Sequence, residues 1–235
     1  MNMDCFMKRF CDVLMNPAHD ETFETIKILM GGTTSTRIAK LLNFAVSQMG
    51  KNECYLEVGV FTGATLCSAA HVSGKHTIGI DKYDKEELAG MGLKDPAAVR
   101  DRCLYNIASI NCGSKLIEKD FRDVGKEEIE FPVAVSFIDG RHDFESVMDN
   151  LKWLEPLLAD DAVIVFDDIN YHGVSRAIFE WMGDHGENYE LLAYLKPFVV
   201  AENYSSSIQD RFLNNGVCIL AYHKNPLSEC WITNN

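Results

Sequence analysis

The chain has 235 residues, of which 47% are hydrophobic and 24% charged, with a formal net charge of −13. This is the composition of one soluble domain large enough to bury a substantial core. The acidic excess argues against nucleic acid or an anionic membrane as partner, since both require a basic surface.

The eight cysteines include no C-x-x-C pair, "MNMDCFMKRFCDVL" has no apolar signal core, and no apolar run reaches ~18 residues. The expectation is a reduced, cytoplasmic protein. In chain order, "DETFETIKILMGG" predicts a helix over about 21–30 that stops at Gly31-Gly32. Ser35 is placed to cap a second helix, "TRIAKLLNFAVSQM", in which Ile38, Leu41, Leu42, Ala45 and Val46 keep the helical period. "CYLEVGV" is short, apolar and bounded by turn signals, so it reads as a buried strand, followed by a helix in "TLCSAAHV" and a strand in "HTIGIDKY". Residues 95–111 open on Asp-Pro and read as a helix, and "KLIEKDF" as a short third strand.

The alternation continues with strand "PVAVSFIDG", helix "FESVMDNLKWLEPLL", strand "DAVIVFDDI" and helix "GVSRAIFEWMGDH". "YELLAYLKPFVV" and "GVCILAYHK" then read as two strands joined by a polar loop, 202–215, with no helix between them. Alternating strands and helices imply right-handed βαβ crossovers. The expected fold is α/β: a doubly wound, mostly parallel, seven-stranded Rossmann-like sheet with an antiparallel C-terminal hairpin.

In such sheets ligands bind where strand order reverses, at the carboxyl ends of the strands. Gly59 and Gly63 fall between the first strand and its helix, where a missing Cβ lets a ligand approach the backbone. The second strand ends at Asp81, an acid placed to accept from ribose hydroxyls. G-x-G-x-x-G is absent and Glu57 would set a carboxylate near the turn, which disfavours a pyrophosphate and suits a cationic ligand. S-adenosylmethionine, which has a ribose and a sulfonium but no phosphate, fits these residues.

"YLEVGVFTGATL" followed by "TIGIDKYD" resembles the first two motifs of class I S-adenosylmethionine-dependent methyltransferases, especially the small O-methyltransferases related to the catechol and caffeoyl-CoA enzymes. The resemblance implies that Glu57, Gly59 and Gly63 flank the methionine end, with Thr65 helping to hold it. It places Asp81 at the ribose and Asp120 and Phe121 on the adenine side. It further implies an N-terminal helical segment, 1–50, contributing to the pocket of a methyltransferase domain, 51–235, and homo-oligomerisation.

A second constellation lies two strands further on. "SFIDGRHDF" ends its strand at Asp139 with His142 three residues later, and "VIVFDDI" ends at Asp167 and Asp168. Neighbouring strand ends converge, so three carboxylates crowd one edge of the pocket, which is costly unless they are protonated or bound to a cation. Oxygen ligands of this kind suit Mg2+ or Mn2+ rather than zinc.

The run from Phe137 to Ile169 also resembles the methyltransferase 24 and macrocin-type sugar O-methyltransferase families. That resemblance implies metal ligation by Asp139, Asp167 and Asp168, a place for Asp139 beside the cofactor, and His142 as base. The expected activity is methylation of a hydroxyl on a small molecule, a sugar or secondary metabolite. The alternatives are a metal-independent N- or O-methyltransferase using His142, with Tyr171 and His172 as fallback bases, and a non-catalytic binding subunit.

Overall fold

The computed structural model describes residues 1–15, 20–32, 34–110, 112–196 and 215–225. Seven strands, β1 (Cys54–Val58), β2 (His76–Ile80), β3 (Lys115–Ile117), β4 (Val133–Ile138), β5 (Leu158–Phe166), β6 (Tyr189–Leu195) and β7 (Val217–His223), form one sheet in the order β3-β2-β1-β4-β5-β7-β6. The first five are mutually parallel, and β7 runs antiparallel to both β5 and β6. The expected hairpin is therefore present, with β7 inserted between β5 and β6. Strand order reverses at the β1/β4 junction, which fixes where a ligand crevice opens.

Among the described residues eight α-helices accompany the sheet: α1 (Met3–Met15), α2 (Glu21–Met30), α3 (Thr36–Ser47), α4 (Ala64–Ala70), α5 (Lys85–Gly90), α6 (Pro96–Ser109), α7 (Phe144–Leu154) and α8 (His172–His185). Their starts follow from the sequence. Asp20, Ser35, Asp84, Asp95 and Asp143 each accept a hydrogen bond from a backbone N–H of the first turn, satisfying donors that have no partner within the helix. Gly31 ends α2 at φ 73°, a left-handed value that favours glycine.

Successive strand residues point to opposite faces, so each buried strand feeds two cores. Tyr55, Phe137 and Val165 pack with Phe6, Leu41 and Leu42 on the α1/α3 side, whereas Leu56, Ile138 and Phe166 pack with Leu151, Ile178 and Trp181 on the α7/α8 side. α1 falls in the 1–50 segment expected to be helical, though with no bounds expected for it; Phe6, Phe10 and Leu14 recur at i, i+4 and i+8 and form its buried stripe. The expected loop 202–215 lies outside the described residues except for Asn215, as does the 197–200 end of its preceding strand. Among the described residues no helix is long and apolar enough to cross a membrane.

Candidate active site

The turn after β1 is held in an uncommon backbone shape, with positive φ at Gly59 (91°), Phe61 (52°) and Gly63 (83°). Asp81 braces it. Its Oδ2 accepts from the N–H groups of Val60 at 2.9 Å and Phe61 at 2.8 Å, and its Oδ1 accepts from Tyr83 N–H at 2.7 Å. An ionised carboxylate offers roughly four lone-pair sites, so about one remains for a ligand hydroxyl.

The glycines are required for a reason other than the one expected. A Cβ on Gly59 would stand 2.0 Å from the Asp139 carbonyl oxygen, so Gly59 lets the end of β4 close onto the turn. A Cβ on Gly63 would meet Cys103 Sγ at 3.0 Å. In both cases protein atoms stand where the missing Cβ would be, and of the two glycines only Gly59 also lines the cavity.

Glu57 is fully buried behind the turn, where it accepts from Tyr55 OH and from Thr65 Oγ1, each at 2.5 Å. Burial pushes its carboxyl up to about 8, and the two hydroxyl donors offset only part of that. Its role here is to anchor the start of α4 through Thr65.

In front of the turn lies a cavity of about 260 Å³. Gly59, Thr65, Asp81, Asp120, Phe121, Asp139, His142 and Asp168 all line it, so both predicted constellations open into one space. Glu57, Gly63 and Asp167 do not line it and act from behind the wall. The N-terminal segment reaches the cavity through Gly32 and Thr34, and the α5 insertion reaches it through Glu87 and Leu88.

Four basic side chains also line the cavity, and each is already engaged. Lys82 pairs with Glu87 at 3.0 Å, Lys119 with Glu128 at 2.9 Å, Arg122 with Asp120 at 3.5 Å, and Arg141 with Asp143 at 3.0 Å. A site with its cations committed to protein acids is poorly disposed to a pyrophosphate.

At the β4 and β5 ends, Asp139, His142 and Asp168 each bring a ligand atom within 4.8 Å of the others. His142 Nε2 stands 2.9 Å from Asp168 Oδ2, but the pair lacks the alignment of a hydrogen bond, and that nitrogen is buried with no other partner. The His142 ring stacks on Tyr171, with centroids 4.5 Å apart, which fixes its orientation.

Asp168 holds φ 57°, and its Oδ1 accepts from Asn215 Nδ2 at 2.8 Å. Asp167 turns away, and its Oδ1 accepts the Asp168 N–H at 2.9 Å. Burial, followed by the Asp167 and Asp168 charges, pushes the Asp139 carboxyl well above the usual carboxylate range. An imidazole nitrogen and two carboxylates facing one point form a donor set that fits a divalent cation, which would also relieve the crowded charge. The geometry therefore groups His142, rather than Asp167, with Asp139 and Asp168.

Two further polar residues line the cavity. Thr34 Oγ1 and Asn150 Oδ1 are buried without a hydrogen-bond partner, one from the α2–α3 turn and the other from α7. A polar residue within an amphipathic helix, as Asn150 is, gives no sequence signal of this kind. A ligand with polar groups at both ends would satisfy both.

The profile of a methyltransferase domain family, methyltransferase 24, matches residues 56–169. No curated protein matches the sequence. Among solved structures, cofactor-bound Rv0187 from MTB aligns with TM-score 0.62 and 15% identity, over 95% of this chain and 96% of that one. An O-methyltransferase from Bacillus cereus in complex with SAH aligns at 0.60 and 17%, over 95% and 100%. The O-methyltransferase TomG from Streptomyces achromogenes, involved in tomaymycin synthesis and in complex with SAM, aligns at 0.60 and 12%, over 96% and 100%. At these identities the likeness is one of fold.

Proposed function

We propose that this chain, whose residues 56–169 match the methyltransferase 24 domain profile, is an S-adenosylmethionine-dependent methyltransferase that methylates a hydroxyl oxygen of a small molecule with the help of a divalent cation. The observation that carries this reading is the single cavity shared by Gly59, Asp81 and Asp120 on one side and Asp139, His142 and Asp168 on the other. The first group suits a nucleoside without phosphate, and the second suits a hard or borderline cation.

In this reading Asp81 accepts from the ribose, Thr34 and Thr65 lie at the methionine end, and Phe121 lies on the adenine side. Asp139, His142 and Asp168 would hold Mg2+ or Mn2+, with Asp167 fixing the backbone of Asp168. The cation would supply Lewis acidity, lowering the pKa of an acceptor hydroxyl, and S-adenosylmethionine would supply the electrophilic methyl. The chain's own contribution is alignment of the two partners and exclusion of water from between them.

A second reading rests on the 2.9 Å approach of His142 Nε2 to Asp168. A histidine beside a carboxylate is the pattern of an oriented general base, which would deprotonate the acceptor without a metal. Turnover with a panel of hydroxylated acceptors and labelled methyl donor, before and after exhaustive chelation, separates the two. Loss on chelation with recovery on Mg2+ or Mn2+ supports the metal-assisted reading; undiminished turnover removes it and leaves the histidine base.

A further inference from the structure

Asn150 lies in the middle of α7, is 4% exposed, lines the cavity, and its Oδ1 has no hydrogen-bond partner. A buried acceptor left unpaired costs ~1–3 kcal/mol, and asparagine is a poor helix former. Neither the helix nor the core calls for it. Ser146, one turn earlier on the same face, donates its hydroxyl to Asp143 Oδ2 at 3.0 Å.

The position of Asn150 says what it faces. α7 packs beside the 3-10 turn Phe121–Asp123 that follows β3. Trp153 of α7 donates from Nε1 to Val124 O at 3.2 Å and meets Phe121 edge-on. Asn150 therefore stands toward the Phe121 side of the cavity, whose lining also includes the apolar Ile80, Leu88 and Val147. Thr34 belongs to the opposite side, beside Gly32 and the start of α4.

We propose that Asn150 reads the amino-bearing edge of the adenine base of the cofactor, an inference that rests on the reading of this cavity as an S-adenosylmethionine site. Adenine presents a donor, its exocyclic amino group, beside a ring-nitrogen acceptor. A side-chain amide matches that pair with two hydrogen bonds, as asparagine does when it reads adenine in nucleic acids. Oδ1 accepts from the amino group and Nδ2 donates to the ring nitrogen. This edge carries the amino group with N7; hypoxanthine keeps N7 and has a carbonyl oxygen in place of the amino group, so both groups facing the amide are acceptors and Oδ1 loses its donor. Selection of the base is then chemical, with the apolar walls supplying stacking area and the amide supplying discrimination.

Calorimetry on the full chain with S-adenosyl-L-homocysteine and with S-inosyl-L-homocysteine tests this. The wild-type protein is expected to bind the inosyl compound about 10- to 100-fold more weakly. In Asn150→Leu, checked for folding by thermal melting, the adenosyl compound weakens and the two affinities fall within about threefold of each other. Equal affinities in the wild-type chain overturn the proposal. So does a variant that weakens both ligands while keeping their ratio, which is what a purely structural role produces. A wild-type chain that binds neither compound instead overturns the reading of the cavity itself. Should the leucine variant not fold, Asn150→Ser supplies the same comparison.

Discussion

His142 Nε2 and Asp168 Oδ2 are 2.9 Å apart, yet no hydrogen bond joins them, and both share a locus with an Asp139 carboxylate oxygen. In the proposed metal-assisted reading these converging atoms are the ligands of one divalent cation. Titration with Mn2+ followed by electron paramagnetic resonance should show one site per chain. His142→Ala and Asp168→Ala should weaken it by at least about tenfold. Asp167→Asn should change it much less, because the amide oxygen can still accept the Asp168 N–H. A larger loss in Asp167→Asn than in His142→Ala would restore the ligand set expected from the sequence.

Asp81 serves the turn before it serves a ligand. Asp81→Ala removes the acceptor of three backbone N–H groups. Denaturant unfolding should show a loss of about 1–3 kcal/mol, with S-adenosyl-L-homocysteine binding weakened by more than tenfold in calorimetry. Weakened binding with unchanged stability would mean that the N–H groups find other partners.

Gly59 should be intolerant of any side chain. In Gly59→Ala the new methyl would overlap the Asp139 carbonyl at 2.0 Å on a backbone already at φ 91°. A loss of more than about 3 kcal/mol, or failure to fold, is expected by urea titration. Gly74→Ala makes the control, since its φ is also positive but nothing lies within 4 Å of the added atom. That change should cost about 1 kcal/mol.

Glu57 makes stability fall as pH rises. The folded chain holds its proton up to about 8, whereas the unfolded chain releases it near 4.5. The contribution is fully present below the lower value, declines by about 1.4 kcal/mol per pH unit between the two, and is gone above the upper one. Unfolding free energies measured across this window should fall less steeply by that amount in Glu57→Gln. Parallel curves for the two proteins would place the proton elsewhere.

The sheet was legible in the sequence because its strands are short apolar runs punctuated by glycine, proline and asparagine, and its helices are opened by aspartate and serine caps. The site was legible down to the strand ends, since an acid closing a strand in this topology must face the crevice. Its inner details were not. Asp167 and Asp168 are adjacent in the chain and so leave the strand in opposite directions; the sequence does not say which one faces the cavity. Gly59 announces a special turn without saying that Asp139 fills the space it leaves. Asn150 reads as one more polar residue of an amphipathic helix until its lack of a partner becomes visible.

Calorimetric titration of the purified chain with S-adenosyl-L-homocysteine, set beside NAD, tests the central claim most directly. Saturable one-to-one binding of the nucleoside is expected, with no measurable heat from the dinucleotide, whose pyrophosphate would find the four lysine and arginine side chains of the cavity already paired. Binding of NAD with no response to S-adenosyl-L-homocysteine would contradict it.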